Sequence, residues 1–325
     1  MEYNKRTDLA LETREMYQAT NNCEVPGVAV ETREKGKIKI TCVKVLDETG
    51  EREIGKPRGN YITLEIPPHI HDSQKDYDDT CIAIKEELAQ IVHLEKNDLT
   101  LIVGLGNWNI TPDSLGPKVL ESTLVTRHLF EIMPKEIDEG IRPVCAITPG
   151  VLGITGIETS EIIKGVVEKV HPKLIIAIDA LASRKMERVG TTIQIADTGI
   201  NPGSGIGNQR AALCQETLGV PVIAIGVPTV VDAATMANDT IDLVIDSLMA
   251  KSPKSSSFYE TLKNIDRDEK YGIIESVLSP TFMGNLIVTP KEVDDIIEDI
   301  SEIIANGINI ALHPSIGVND INRYS

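Results

Sequence analysis

The sequence predicts an α/β protein: a three-layer core whose mostly parallel sheet carries helices on both faces, with a β-rich N-terminal lead-in and a C-terminal helix. Two observations point there. Short, continuous aliphatic runs alternate with amphipathic helical stretches from Leu99 onward, which is the pattern of strands buried on both faces. Loops rich in Gly, Pro and Asp follow those runs, where open α/β sheets bind their ligands.

The elements read in order. GVAVETREKGKIKITCVKVL holds two β-rich runs around a Lys-Gly turn, YITLEIPPHIHD adds a strand closed by two prolines, and DYDDTCIAIKEELAQIVHL has helical periodicity. LTLIVGLGN is then a strand and SLGPKVLESTLVTRHLF a helix; VCAITPG a strand and TSEIIKGVVEKV a helix; LIIAIDA and TTIQIADTG are strands. NQRAALCQETLG is expected to be a helix, VPVIAIG a strand, and DAATMANDTIDLVIDSLM a helix. KSPKSSSF reads as a mobile Ser/Lys loop. VTPKEVDDIIEDISEIIANG closes the series as a helix, with Thr289 as N-cap, Pro290 in the first turn and Gly307 beyond the end. The organisation expected is a mixed N-terminal region (9–98), an α/β core (99–250) and a loop and C-terminal helical region (251–325).

Composition narrows the function. The 325 residues, 41% hydrophobic with 24 glycines, match an ordinary globular chain. Lys and Arg total 32 against 49 Asp and Glu, a net charge of −17, which argues against direct binding of phosphate backbones. Aromatic residues make up 3%, too few for a base-stacking platform. Cys23, Cys42, Cys81, Cys145 and Cys214 form no C-x-x-C pair, so neither a disulfide framework nor a zinc knuckle is expected. No apolar run approaches the roughly 18 to 20 residues of a membrane helix, and a cytoplasmic, reducing location is expected.

Familiar motifs for cofactors fail. Gly104-x-Gly106 lacks the third glycine of a dinucleotide loop, and no Walker loop or G-x-S-x-G elbow occurs. Gly203, Gly205 and Gly207 could form an anion nest before a helix near Asn208, and His69 with His71 could bind metal, but neither has supporting spacing. Carboxylates remain. Asp113 follows Thr111-Pro112 at a helix start, where it could cap the helix or do chemistry. Asp179 ends an aliphatic strand, where partial burial would raise its pKa, or where it could bond loop amides. Asp197-Thr198-Gly199 imitates an aspartic-protease turn, yet occurs once and in the wrong fold class, and reads better as an Asx-type turn.

RTDLALE, GLGNWNITPDSLGP, TPGVLGITGIET, AIDALASR, ADTGINPGSGIGNQR and IGVPTVVDAAT together resemble the spore germination proteases, endopeptidases of small acid-soluble spore proteins. The resemblance covers essentially the whole chain. It implies a core similar to that of the hydrogenase maturation proteases, with Asp113 and Asp179 as the catalytic carboxylates and Asp197 as at most a supporting residue. It implies cleavage after Glu or Asp when a hydrophobic residue and Ala follow, without metal or other cofactor. It further implies a homotetramer in the developing spore, made as a precursor that trims its own N-terminus. Asp8-Leu9-Ala10 and Glu87-Leu88-Ala89 fit the cleaved pattern. The second falls within a predicted helix and the first in a terminal segment, where fraying concentrates, so cleavage is expected between Asp8 and Leu9. Residues 1–8 would then be a short propeptide that hinders access to Asp113 and Asp179.

Overall fold

A computed structural model describes residues 7–68, 70–203, 210–278 and 286–323. Helix α1 (Ala10–Asn21) precedes a hairpin of β1 (Val28–Lys35) and β2 (Ile38–Val45), then α2 (Glu48–Ile54), β3 (Gly59–Glu65) and α3 (Gln74–Ile91). Strand β4 (Thr100–Gly104), α4 (Leu115–Glu121), α5 (Arg127–Ile132), β5 (Val144–Ile147), α6 (Leu152–Thr155), α7 (Thr159–Val170), β6 (Leu174–Ser183) and β7 (Thr192–Ala196) follow. The chain continues through α8 (Gln215–Leu218), β8 (Val222–Asp232), α9 (Ala233–Lys251), α10 (Ser257–Lys263), α11 (Arg267–Leu278), β9 (Ile287–Val288) and α12 (Val293–Leu312).

Among the described residues the strands form one mixed sheet in the order β1-β2-β3-β7-β8-β6-β4-β5, with β9 pairing β8. Its centre, β8-β6-β4-β5, is parallel as expected. The N-terminal strands do not stand apart: β3 joins β7, and β7 joins β8, both antiparallel. Their composition explains the difference. The outermost strand, β1, alternates half-buried and exposed positions and bears Glu, Arg and Lys, which suits a sheet edge facing water and discourages pairing with another chain.

The central strands read as continuous aliphatic runs because both faces are covered. Ile176 and Ile178 of β6 pack with α3, α4 and α12 through Ile84, Leu115 and Ile304. Ile175 and Ala177 face the other way, onto Ile163 and Val167 of α7. A third cluster seats α1 on β2 and β3 through Leu11, Val43 and Tyr61.

Several boundaries differ from expectation. SLGPKVLESTLVTRHLF breaks into α4 and α5, and in the described part of NQRAALCQETLG, 210–219, only Gln215–Leu218 is helical, Leu213 instead bridging Ile200. The end of KSPKSSSF starts α10, with the Ser256 side chain capping the Tyr259 amide. Helix α12 begins with Glu292 as N-cap, while Thr289 donates its hydroxyl to the Thr229 carbonyl, 2.8 Å away. Gly307 does not end it. It lies mid-helix against α3, where a Cβ would come within 2.7 Å of Ile84 Cγ2. No helix of the described residues is long and apolar enough to cross a membrane.

Candidate active site

Strand β4 stops at Gly104, opposite Ile178, while β6 runs on to Ser183. Asp179 therefore lies within β6 and not in a loop after it, one residue past the carboxyl end of its neighbour. The segments that follow the aliphatic runs of these strands, 179–184 and 226–235, are largely strand and not loop, since β6 and β8 stay paired through Ser183 and Val231 with a register shift near Leu181. At the end of β4 the chain must fold back closely. A Cβ on Gly104 would overlap the carbonyl of Gly116, so α4 starts directly on the strand end. Gly106, at φ +114°, leaves room for the Asp113 carbonyl, which accepts from the Asn107 amide at 2.9 Å. The Thr229 hydroxyl donates to the Pro112 carbonyl at 2.7 Å. Asp113 thus hangs from a short 3-10 turn, Thr111–Asp113, held at three points.

The two carboxylates are electrically coupled. Asp113 is half-buried, and burial pushes its pKa up to about 6 despite the Asn107 amide and the Arg210 charge. Asp179 is 6% exposed; burial raises its pKa well above the carboxylate range, and the charges of Asp113 and Asp8 raise it further. Its Oδ1 accepts from the Ala180 amide at 3.0 Å. Two neighbouring carboxyl groups raised to different extents are suited to share the roles of acid and base, the arrangement general acid-base chemistry requires.

Beside Asp179 opens a cavity of about 230 Å³ lined by Asp8, Lys56, Tyr61, Gln194 and Gly226 among others. Its floor follows from the sheet register. Gly226 of β8 pairs with Asp179 on one side and Gln194 on the other, and cross-strand partners point to the same face. Gln194 and Asp179 therefore flank a residue without a side chain.

Thr7 and Asp8 of the N-terminal segment form part of the wall of this cavity, docked where a frayed end was expected. The Asp8 amide donates to the Ala182 carbonyl and the Ala182 amide donates to Asp8 Oδ2, both at 2.9 Å. The Gln194 Nε2 donates to the Asp8 carbonyl at 3.1 Å, and its Oε1 accepts from the Ala10 amide at 2.9 Å. Leu9 is fully buried. Satisfied main-chain groups and an apolar anchor are what make a terminus ordered. Buried Glu12 fastens the start of α1, accepting from the Thr7 hydroxyl and the Arg184 and Lys185 amides and pairing with Arg188. Residues 1–6 of the expected propeptide lie outside the described residues.

Asp197 is not among these groups. Both its oxygens accept from Asn60, from the amide at 2.8 Å and the side chain at 2.5 Å, so it ties the loop after β7 to the start of β3. The expected Asx-type turn is thus a bond across strands. His69, Gly205, Gly207 and Asn208 lie outside the described residues, as does the side chain of His71. Among the described residues no group of three or more His, Cys, Asp or Glu is placed to hold a metal ion. Sequence reasoning missed Lys56, Gln194, Glu12 and Arg188. Only Gln194 left a signal: an amide in the otherwise aliphatic core of TTIQIA.

A family model described as germination protease matches residues 6–257 and 245–325. A protein named germination protease from Clostridium tetani (strain Massachusetts / E88) is 56% identical, covering 98% of each chain. Another of that name, from Clostridium perfringens (strain SM101 / Type A), is 53% identical over 99% of each. One from Bacillus subtilis (strain 168) is 45% identical over 100% of this chain and 97% of its own.

Proposed function

The chain belongs to the germination protease family and is a peptidase, and from that premise we propose that Asp113 and Asp179 hydrolyse the peptide bond by general acid-base catalysis. The observation carrying this reading is the pair of carboxyl groups beside the end of β4, coupled through their charges, with burial raising the pKa of Asp113 to about 6 and that of Asp179 well above the carboxylate range. Asp113, ionised at neutral pH, takes a proton from a water molecule as its oxygen adds to the scissile carbonyl. Asp179 gives its proton to the leaving nitrogen, breaking the C–N bond, and the proton on Asp113 then restores the pair.

The substrates proposed are small acid-soluble spore proteins, cut after Glu or Asp when a hydrophobic residue and Ala follow. The enzyme is placed in the cytoplasm of the developing spore as a homotetramer, made as a precursor that cuts itself between Asp8 and Leu9. The docking of Asp8 beside Asp179 supports a segment that both blocks the cleft and presents its own bond. No metal or cofactor takes part in this reading, and no membrane or nucleic acid is a partner.

A short peptide containing Glu-Ile-Ala, incubated with the self-processed enzyme with and without EDTA, tests it. Asp113→Asn and Asp179→Asn should each stay folded and lose about 100-fold or more in rate. EDTA should change nothing, and Asp197→Asn should be milder. Full turnover by Asp113→Asn with a dead Asp197→Asn would refute the assignment.

A further inference from the structure

Residues 7–9 run extended into the start of α1, with Thr7 and Asp8 in the cavity wall, and each group that holds them reads a different part of the segment. Gln194 touches only main chain: its amide donates to the carbonyl of the Asp8–Leu9 bond and accepts from the next amide but one. Such a grip is indifferent to side chains. Asp8 is met otherwise. Its carboxylate accepts from the Ala182 amide, and Lys56 shares the cavity, where burial lowers its pKa and the Asp8 charge acts the other way, in favour of the ammonium. Lys56 is half-buried, its Nζ 5.9 Å from the centre of the Tyr61 ring, so it is held over an aromatic face and partly stripped of water. An ammonium so placed favours an anion beside it. Beyond the bond, Leu9 and Ala10 are both fully buried, which fits a bulky apolar residue followed by a small one.

Resting on the peptidase reading, we propose that Lys56 and the Ala182 amide form the pocket for the acidic side chain preceding the cleaved bond, and that the Gln194 amide holds and polarises the scissile carbonyl. The sheet register supports the second part. Gln194 and Asp179 stand on either side of Gly226, each about 5 Å from it by ordinary strand spacing and on the same face of the sheet, with the Leu181 side chain lying over the glycine between them. A peptide lying along β6 past the end of β4 uses a strand edge that the sheet leaves open, as Asp8 uses Ala182.

Two peptides differing only in Glu or Gln before Ile-Ala separate the roles. The self-processed wild type should prefer Glu by at least about tenfold in kcat/KM, Lys56→Met should reduce that preference to within about threefold of none, and Lys56→Arg should keep it. Gln194→Ala should slow both peptides by about tenfold or more and leave the preference intact. A Lys56→Met enzyme that still prefers Glu, or a Gln194→Ala enzyme with wild-type rates, would overturn the proposal; thermal melts establish that each variant is folded. If the wild type cleaves neither peptide, the peptidase reading has failed, and amide hydrogen exchange in the unprocessed chain still judges the pocket. Exchange at Asp8 should rise about tenfold or more in Lys56→Met, and at Ala10 in Gln194→Ala. Unchanged exchange at both would mean that neither side chain holds the segment.

Discussion

Burial raises the pKa of Asp113 to about 6 and that of Asp179 well above its ordinary value, and this has two measurable consequences. Activity should rise as pH passes about 6, where Asp113 ionises, and fall only at the higher pH where Asp179 loses its proton. A kcat/KM profile with no acidic limb near pH 6 would contradict the assignment of Asp113 as base. The second consequence concerns stability. A carboxyl group whose folded pKa exceeds its unfolded value, about 4, binds more protons in the folded state. The folded state is then favoured at low pH, and that advantage is lost as pH rises from about 4 through the raised pKa. Asp179→Asn, which is neutral without having to take up a proton on folding, should therefore raise Tm at pH 7 by roughly 2–5 °C and leave it nearly unchanged at pH 4. A lower Tm at pH 7 would show that Asp179 is there to hold the fold together. Among these residues sequence reasoning located Asp113 and Asp179, since a carboxylate at the end of an aliphatic run is visible in a single line of text. Their division of labour was not, because it depends on how much water each one loses.

Helix α12 shows how an element can be recognised and still be misjudged in length. Its apolar spacing announces a helix, but Gly307 looks like a terminator only in isolation. In the folded chain it is the contact point with α3, where the helices approach too closely for a Cβ. Gly307→Ala should accordingly destabilise by about 1–3 kcal/mol, the overpacking cost outweighing the roughly 1 kcal/mol by which alanine favours a helix. Adding Ile84→Ala should make the Gly307→Ala change much less costly, and denaturant unfolding of the four proteins would measure that coupling. A Gly307→Ala protein as stable as wild type would mean that the helices can slide apart freely. The long strands misled for a related reason. Asp179 and Pro228 look like strand ends, yet β6 and β8 pair straight through them because each has the other as a partner. Helix α3 was read correctly, and its consequence holds: Glu87-Leu88-Ala89 is locked in its helix, with Glu87 buried and paired to Arg33.

At the scale of the whole molecule, the cavity is assembled from places far apart in the chain: Asp8 from the terminus, Lys56 after α2, Asp179 in β6 and Gln194 in β7. No spacing rule links them. They meet because β3, joined antiparallel to β7, brings the N-terminal third of the chain against the parallel centre, and the register of β7, β8 and β6 does the rest. Intact mass over an activation time course should show loss of residues 1–8 with Leu9 as the new terminus, and Asp8→Ala should slow it strongly. Full activity in a chain still beginning at Met1 would remove any regulatory role from the segment. Tethering explains why such a cut would matter out of proportion to its size. While joined to α1, residues 7 and 8 compete for the cleft at an effective concentration of order millimolar, whatever the concentration of enzyme. Once severed, the same residues belong to a free octapeptide no more concentrated than the protein that released it. Every contact they made could still form, but dilution alone would empty the cleft, and nothing would return them to it.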